Sequence, residues 1–530
     1  MLSAALCGVV TVVVSFGGVL AQQLPVSIPV SAPSSAVTLN PALYSFSIEQ
    51  DRWTDWAGTT SPNSFFFNTL DNLKQRTGQA PWIRIGADSE DRTNFNSKVQ
   101  FSESVFPAFS PTTPYPEASN NVVGDGYYQV ISHLPAGTHV IWGVNFGTNN
   151  ITAAFLAAKS IQKAFQSSAV KSAGITLDFI EIGNEADIYL FNGDRNASTW
   201  TIAAYTQQWT TFAKNISAAL GMGPNSHLKF LGGAFGGSGH SANSFSPQGM
   251  FATGILNSPQ GKLITSISQH HYSGTFCQGS GGLLQDLMTK STIRGNLSDF
   301  SPDIAATRAQ GLDYVFAETN SYSCHGAPGV SNTAGAALWS LDYVLFASQI
   351  GISQVYFHQG VGYKYNMIQP ATLTRSILDG STLATPLAPH LQPAYYSGLI
   401  ANEAIGTSGT TRAVELNIND SRVAGYAFFE GNKLKRAILI NSLSFLTTTS
   451  GPRPTKNIVL NFSGTGTTPK TMTIKRLAIN HADDDHGLTW GGQSFETKDA
   501  RPTGKLSVQT VAVNSGFTLS ATEAVLLSFS

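Results

Sequence analysis

The chain has 530 residues, a formal net charge of −1 and 12% charged residues. Its length exceeds one ordinary domain and allows a barrel of roughly 250 to 350 residues together with a second module. The balanced charge argues against a protein that binds nucleic acid or another polyanion by bulk attraction.

The first segment, residues 1–21, is apolar and rich in small residues, and Gln22, Gln23 and Pro25 follow it at once. This pattern is typical of a secretory signal peptide. The segment carries no Lys or Arg, which leaves an uncleaved anchor as the alternative. No other apolar run is long enough to span a bilayer. We therefore expect a secreted, extracellular protein without a further membrane contact.

Asn-X-Ser/Thr triplets agree with secretion because they are acceptors for N-glycosylation. Such triplets also arise by chance, so they are candidates for a glycoprotein. They begin at Asn150, Asn196, Asn215, Asn296, Asn419 and Asn461.

Outside the signal segment, which contains Cys7, the chain has two cysteines, Cys277 and Cys324. Each follows a predicted strand, and the two strands would be neighbours in a barrel. In an oxidising compartment we expect a disulfide across the rim of the cleft. Two free buried thiols are the alternative.

The element pattern divides the remaining chain into three parts. Residues 22–39 alternate apolar and small polar residues around Pro29 and Pro33, as an edge strand does, and we expect this strand to pair with the C-terminal module. Residues 40–405 alternate strands with helical segments in eight units, which predicts an α/β fold, a closed (β/α)8 TIM barrel. Residues 406–530 contain short alternating strands separated by turns, which predicts a C-terminal antiparallel β-sandwich.

The expected barrel strands and helices follow each other in chain order. The strands cover residues 43–48, 82–85, 139–144, 178–182, 228–231, 263–271, 314–317 and 354–357, with helices at 63–76, 150–168, 199–220, 330–350 and 393–405. Residues 94–126 are rich in Pro, Ser, Thr and Asn and are interpreted as a substrate-facing loop. The Gly-rich residues 232–239 lack the frame of a phosphate-binding loop and are interpreted as a flexible loop.

Two predicted strands end in a glutamate. The fourth strand ends at Asn184 and Glu185, and the seventh ends at Glu318. Catalytic residues of barrel enzymes lie at the carboxyl ends of the strands. A pair of carboxylates in these positions is typical of a glycosidase. Ordinary loop carboxylates are the alternative.

Hydrolysis of a glycosidic bond needs a proton for the leaving oxygen and a nucleophile on the opposite side of the anomeric carbon. We assign Glu185 as acid/base and Glu318 as nucleophile, which predicts retention through a covalent glycosyl-enzyme. Asn184 could donate to the sugar 2-hydroxyl, and Tyr272 could hold the nucleophile ionised. Arg84 is expected to be the buried partner of an acidic group near Glu318, with a structural ion pair as the alternative.

His270 and His271 also end a predicted strand, but further ligands at suitable spacing are missing from the sequence. We therefore expect neither a metal nor another cofactor. No obligatory protein partner is predicted.

The chain resembles the retaining glycosidases of clan A at Ile182-Gly183-Asn184-Glu185 and at Ala317-Glu318-Thr319-Asn320-Ser321. The wider pattern resembles glycoside hydrolase family 79, the β-glucuronidases and heparanase-like enzymes, most nearly the secreted fungal members. The segments that carry this second resemblance are Phe46-Ser47-Ile48-Glu49, Ile83-Arg84-Ile85-Gly86, His270-His271-Tyr272, residues 318–328, Gly362-Tyr363 and the terminal β-module.

The resemblance implies the roles given above to Glu185 and Glu318. It also implies that Glu49, Asn184 and Tyr272 line the −1 sugar site. Members of the family bind the uronate carboxylate with backbone amides and tyrosine hydroxyls that follow the seventh and eighth strands. In this chain the corresponding residues would be Tyr322, Gly362 and Tyr363. The chain departs from the Gly-rich stretch of heparanase-like members at Ser323-Cys324-His325-Gly326.

The expected activity is exo-removal of terminal β-D-glucuronate, or its 4-O-methyl form, from a glycan. The alternatives are an endo-β-glucuronidase or another clan A β-glycosidase. A non-catalytic carbohydrate-binding protein on a barrel scaffold is the alternative from another class.

Overall fold

The computed structural model describes residues 23–530. The predicted signal peptide lies outside this range. Within the described range, no helix combines the length and the apolar character needed to cross a membrane.

Eight parallel strands close into a barrel, in which each strand pairs with the next and the eighth pairs with the first. They are Tyr44–Glu49, Ile83–Gly86, His139–Val144, Thr176–Ile182, Lys229–Phe235, Ile264–Thr275, Asp313–Ser323 and Val355–Gln359, called barrel strands 1 to 8 below. β-Branched and aromatic residues such as Ile48, Ile85 and Phe316 fill the core. The predicted (β/α)8 barrel is confirmed.

Helices surround the barrel. Their bounds are Trp53–Ala57, Ser64–Thr77, Asp125–Gln129, Ile151–Phe165, Ser168–Ser172, Tyr189–Asn192, Ile202–Leu220, Pro247–Ala252, Leu284–Met288, Lys290–Ser298, Ser301–Ala309, Ala334–Gln349 and Tyr395–Ile405. Several begin with a capping side chain. Asn63 accepts from the backbone N–H of Phe65 and Phe66, and Thr201 caps the long helix before barrel strand 5.

Two predictions for loops were wrong, and one connection contains helices for which no prediction was made. Residues 94–126 contain most of a small three-stranded sheet, Thr93–Phe95, Ser102–Val105 and Asn120–Val123, because these segments pair with one another. The Gly-rich stretch begins inside barrel strand 5, where a Cβ on Gly232 would lie 3.1 Å from Ile264 and Ile267 side chains. The connection between barrel strands 6 and 7 contains three helices that the sequence pattern did not predict, Leu284–Met288, Lys290–Ser298 and Ser301–Ala309.

The C-terminal domain consists of two sheets around a separate hydrophobic core. The larger sheet contains Val37–Thr38, Arg412–Glu415, Val423–Glu430, Lys433–Asn441, Glu523–Phe529, Thr471–Ala478, Thr489–Trp490 and Gln509–Ala512. The smaller sheet contains Gln23–Pro29, Thr455–Ser463 and Phe517–Ser520. The N-terminal segment therefore forms two short strands instead of one, and both pair with strands of this domain. Pro29 ends the first of them, consistent with the missing N–H of proline.

Candidate active site

Barrel strand 4 ends at Ile182, and a sharp turn presents Asn184 and Glu185 to the cavity above the barrel. Gly183 has φ +77°, and a Cβ there would lie 2.5 Å from the Tyr189 hydroxyl, so a larger residue does not fit. Glu185 also has a positive φ of 49°, a strained conformation for a residue with a side chain. Its N–H donates to the Ala234 carbonyl at 2.7 Å, which holds the turn against barrel strand 5.

Glu318 lies within barrel strand 7, which continues to Ser323 and is longer than predicted. The Tyr272 hydroxyl donates to Glu318 Oε1 at 2.8 Å, and Arg84 Nη1 donates to Oε2 at 2.8 Å. Both carboxylate oxygens therefore accept a hydrogen bond that favours the ionised form.

The two glutamates face each other across the top of the barrel. A carboxylate oxygen of Glu185, one of Glu318 and a ring nitrogen of His270 lie within 4.8 Å of one another. Carboxyl groups about 5 to 5.5 Å apart are typical of retaining glycosidases, whereas inverting enzymes need a wider gap for water. The oxygens of Glu185 and Glu318 are therefore closer than the gap that an inverting pair needs.

The environments of the two carboxyl groups separate their pKa values. Burial, together with the negative charge of Glu318, raises the pKa of Glu185 to about 8. Burial would also raise the pKa of Glu318, but the positive charges of His358 and Arg84 and the hydrogen bond from Tyr272 hold it well below its usual range. Glu185 is thus protonated and Glu318 ionised near neutral pH.

Two histidines adjoin the pair in different charge states. Burial lowers the pKa of His270 to about 4, and its Nδ1 forms a hydrogen bond of 2.9 Å with Glu185 Oε1. Burial would also lower the pKa of His358. The negative charges of Glu318 and Glu49 outweigh this effect, so the pKa of the His358 ring is raised. His270 is therefore a neutral neighbour of Glu185, while the raised pKa of His358 favours a positive charge beside Glu318.

Arg84 connects Glu318 with the end of barrel strand 4, which leads to Glu185. Besides Glu318 it donates to Glu181 Oε1 at 2.9 Å through Nε, and to Asn184 Oδ1 at 2.8 Å through Nη2. Since the Asn184 oxygen accepts this bond, the amide NH2 of Asn184 remains to donate to a ligand. The placement of Arg84 beside Glu318 agrees with the sequence-based expectation.

A cavity of about 800 Å³ opens above the glutamates. Its lining includes the predicted residues Glu49, Asn184, Glu185, Tyr272 and Glu318, together with Asp88, Glu117, Asp187, His325 and Tyr365. Within the described chain, no Lys or Arg is part of this lining. The geometry can therefore hold a sugar between an acid and a nucleophile, in acidic surroundings.

The sequence model of the Glycosyl hydrolase family 79 C-terminal beta domain matches residues 425–526. The chain is 27% identical to a β-glucuronidase of Neurospora crassa, over 91% of this chain and 89% of that protein. It is 28% identical to a β-glucuronidase of Aspergillus niger, over 89% of this chain and 86% of that protein.

The C-terminal domain is similar to that of glycoside hydrolase family 79, and most of the chain is similar to fungal β-glucuronidases.

Solved structures are similar to the whole chain. The chain superposes with a TM-score of 0.77 on a 4-O-α-L-rhamnosyl-β-D-glucuronidase from Fusarium oxysporum 12S, at 25% identity and with coverage of 95% of this chain and 100% of the other. A family 51 arabinofuranosidase from Xanthomonas axonopodis pv. citri gives a TM-score of 0.61 at 12% identity, covering 96% and 100% of the two chains, and shows the fold alone. The protein is a glycoside hydrolase.

The structure places the residues expected to contact the uronate carboxylate apart from the residues that line the cavity. Tyr322, Gly362 and Tyr363 lie outside the cavity lining. A Cβ on Gly274 would lie 2.4 Å from the Tyr322 ring, so this ring packs against the neighbouring strand. The Gly362 N–H donates to Gln369 Oε1 at 3.0 Å and is therefore engaged.

Tyr365 and His325, which are close to Tyr363 in space, do line the cavity. The Tyr363 ring stacks on His325 with 3.7 Å between centroids, and His325 Nε2 forms a 2.6 Å contact with Glu117 Oε1. Glu117 comes from the long connection after barrel strand 2, so this segment faces the cavity as expected.

Cys277 and Cys324 form a disulfide with 5.0 Å between their Cα atoms. Cys324 lines the cavity, next to His325. Cys324 and His325 have positive φ values of 60° and 70°. The disulfide connects this turn to the loop after barrel strand 6.

The glycosylation candidates differ in exposure. Asn215 and Asn296 are half-buried on helices. The exposed candidates are Asn150, Asn196, Asn419 and Asn461, and the first of these caps a helix by accepting from the Ala153 N–H. Their use as glycosylation sites stays a prediction.

Sequence reasoning missed several residues that organise the site. Asp91 accepts the N–H of Asn184 at 3.0 Å and so holds the catalytic turn. Glu181 and His358 surround Arg84 and the nucleophile. A charged residue in the apolar run Phe179-Ile180-Glu181-Ile182 was a visible signal for Glu181, since such a position needs a buried partner.

Proposed function

We propose that this protein is a retaining exo-β-glucuronidase that removes terminal β-D-glucuronate, or its 4-O-methyl form, from glycans by double displacement. The observation that carries the proposal is the approach of Glu185 and Glu318 to within 4.8 Å, one protonated and one ionised. This is the arrangement that a retaining mechanism requires.

In the first step, Glu318 attacks the anomeric carbon while Glu185 gives its proton to the glycosidic oxygen. The aglycone leaves as an alcohol, and a covalent glycosyl ester remains on Glu318. Loss of the negative charge on Glu318 lowers the pKa of Glu185, which then accepts a proton from water. The hydroxide displaces Glu318, the sugar is released with retained configuration, and both carboxyl groups return to their starting states.

Glucuronate as the substrate is supported by the fungal relatives, both of which are β-glucuronidases. Tyr365 lines the cavity and offers its hydroxyl to the sugar carboxylate. His325 also lines the cavity, but its Nε2 contacts Glu117 and its Nδ1 is buried. A hydrogen bond to a charged group is worth about 1.5 to 3 kcal/mol. The Tyr365 hydroxyl would therefore favour glucuronate over glucose without a lysine or arginine in the cavity lining.

Action on a terminal sugar is supported by the acidic lining. Glu49, Asp88, Glu117 and Asp187 surround the reacting pair, and among the described residues the cavity wall offers histidine as its only basic side chain. A sulfated polymer would need a basic cleft along several sugars. A single uronate needs only local donors.

The test compares hydrolysis of nitrophenyl β-D-glucuronide with that of nitrophenyl β-D-glucoside, by wild type and by Glu318→Gln. We expect selective release from the glucuronide and its loss in the variant. Release from the glucoside alone would contradict the choice of uronate but retain the two-carboxylate mechanism. Release from neither would point to an endo enzyme or a carbohydrate-binding protein.

A further inference from the structure

Two adjacent buried acids behind the nucleophile have opposite surroundings. Asp91 accepts four hydrogen bonds, among them those from the backbone N–H groups of Phe146 and Gly147 at 2.9 and 2.8 Å. Glu90 is 0% exposed, and neither of its carboxyl oxygens has a hydrogen-bond partner among the described residues. An ionised carboxylate in such a place has a large desolvation cost.

Two glycines of the barrel place the Glu90 carboxyl group beside Arg84 and next to the strand position that pairs with Glu181. Barrel strand 3 lies between the strands that carry these two residues, and its Gly143 is opposite Glu181. A Cβ on Gly143 would lie 1.7 Å from Glu90 Oε2, and one on Gly86 would lie 2.6 Å from the same oxygen and 3.2 Å from the guanidinium carbon of Arg84. The Glu90 carboxyl group therefore fills the space that these two glycines leave beside the arginine.

Arg84 has no donor left for Glu90. Its five N–H groups are matched by five contacts, to Glu181 Oε1 twice and to Ser47, Glu318 and Asn184 once each. Glu181 Oε2 has no hydrogen-bond partner in the described chain either. Three buried carboxyl oxygens, two of Glu90 and one of Glu181, thus have no hydrogen-bond partner among the described residues, and every N–H of Arg84 is already engaged.

We propose that Glu90 is a neutral carboxylic acid whose hydroxyl donates to Glu181 Oε2, and that it is a positioning residue for Arg84 and so for the nucleophile. The proton on Glu90 supplies Glu181 Oε2 with the hydrogen-bond donor that Arg84 cannot supply. It also prevents a third negative charge from competing with Glu181 and Glu318 for the guanidinium group, which would draw Arg84 away from the nucleophile.

The charged groups around Glu90 act in the required direction. Glu181 from barrel strand 4, Glu318 from barrel strand 7 and Asp91 next in sequence are acidic, and Arg84 from barrel strand 2 is the basic group. Burial and then Glu181 and Asp91 raise the pKa of Glu90 well above its ordinary value, against the opposing effect of Arg84. Tyr127 and Tyr189 also face this region, and burial raises their pKa values so that both stay protonated.

Infrared difference spectroscopy at pH 7 tests the protonation state without turnover. Wild type minus Glu90→Gln should show loss of a protonated carboxylic acid band with no loss of ionised carboxylate. The matched control is Glu103→Gln, which removes an exposed glutamate and should show loss of ionised carboxylate. Loss of an ionised carboxylate band in Glu90→Gln would overturn the proposal.

A second variant replaces Glu181, the proposed hydrogen-bond acceptor of Glu90. In Glu181→Gln an amide N–H faces Glu90 and one competing negative charge is gone, so Glu90 should ionise. The spectrum at pH 7 should then lose the protonated acid band while the total ionised carboxylate signal stays unchanged. Persistence of the protonated band would contradict the pairing of the two acids.

The positioning role has a kinetic readout, which rests on the proposed function because it gives Glu318 the role of nucleophile. Glu90→Gln keeps a donor and should retain kcat/KM on the nitrophenyl glucuronide within about threefold. Glu90→Met removes the donor, should reduce kcat/KM more than about thirtyfold, and should move the acid limb of the pH profile upward as Arg84 leaves Glu318. Equal losses in both variants would refute the role. Absence of glucuronide turnover in wild type would instead reject the proposed function, while the infrared result would still decide the protonation of Glu90.

Discussion

Arg84 donates a 2.8 Å hydrogen bond to Glu318 Oε2, and the two side chains are 0% and 8% exposed. The Glu318 carboxylate is therefore paired with the permanent positive charge of Arg84 in a buried region, where electrostatic interactions are strong. This relationship, with the acid/base opposite, leads to the predictions below.

Removal of the nucleophile and of the acid/base should have different kinetic consequences. Glu318→Gln should abolish hydrolysis of every glycoside, because no glycosyl ester can form. Glu185→Gln should lose roughly 10²–10⁴-fold in kcat/KM on substrates with poor leaving groups, but much less on a dinitrophenyl glycoside that leaves without protonation. Steady-state kinetics on the two leaving groups measures this contrast. An equal loss on both would contradict the role of Glu185 as general acid.

The basic limb of the pH profile should report Glu185. Its pKa is raised to about 8 by burial and by Glu318, and the general acid works only when protonated. Hydrolysis should therefore continue through neutral pH and fall above about pH 8. Since Glu318 has a lowered pKa, its protonation should not limit activity in mildly acidic solution. A kcat/KM that falls already above pH 5 would contradict this assignment.

Substitution of the two glutamates should change stability in opposite directions at neutral pH. Between its unfolded and folded pKa values, Glu185 binds a proton only in the folded state, so the free energy of unfolding falls as pH rises through this window. Glu185→Gln removes this effect and should stabilise the protein by about 2 kcal/mol at pH 7, with little gain near pH 4. Urea unfolding at the two pH values measures the difference.

Glu318→Gln should be destabilising at pH 7, by about 3 kcal/mol, because it leaves the buried charge of Arg84 with one counter-ion fewer. The folded-state pKa of Glu318 is lowered, so its contribution is present above the unfolded pKa and is lost as pH falls. The same urea experiment checks this sign. Stabilisation by Glu318→Gln would show that the ion pair with Arg84 does not operate.

Loss of the disulfide should affect both stability and substrate binding. The bond closes a sequence separation of 47 residues, for which chain entropy predicts a loss of about 4 kcal/mol in the double variant Cys277→Ser with Cys324→Ser. Because Cys324 lines the cavity, KM should rise more than kcat falls. Reduction of wild type by dithiothreitol is the control and should reproduce both effects. Unchanged unfolding would exclude a structural role.

Chelation of metal ions should leave activity unchanged. Glu185, His270 and Glu318 have donor atoms close enough for a metal, but Arg84 and Tyr272 already occupy the oxygens of Glu318. The charge of Arg84 also opposes a cation. Activity after dialysis against EDTA tests this expectation. A loss that zinc restores would show that the three residues bind a metal.

Much of the fold was predictable because local patterns report it directly. Residues 139–144 were predicted as a strand and are one, and Asn63 was placed at a helix start where it is the N-cap. The two catalytic candidates were also predictable, since a polar residue at the end of an apolar strand is a local signal. Three short strands near the long connection escaped prediction because their pairing partners lie elsewhere in that connection.

The sequence by itself determined the strand order, the barrel and the two glutamates, because periodicity and strand-end residues are local properties of the chain. Only the tertiary structure decided which side chains reach the cavity and what charge they carry there. Tyr322 and Gly362 lie beside the right strands but face other partners, while Tyr365 and His325 line the cavity. Glu90 and Asp91 are adjacent buried acids, yet Asp91 accepts four hydrogen bonds and Glu90 has no hydrogen-bond partner among the described residues. Burial and donor geometry arise from distant segments that meet in the barrel, and these set the protonation state of each acid.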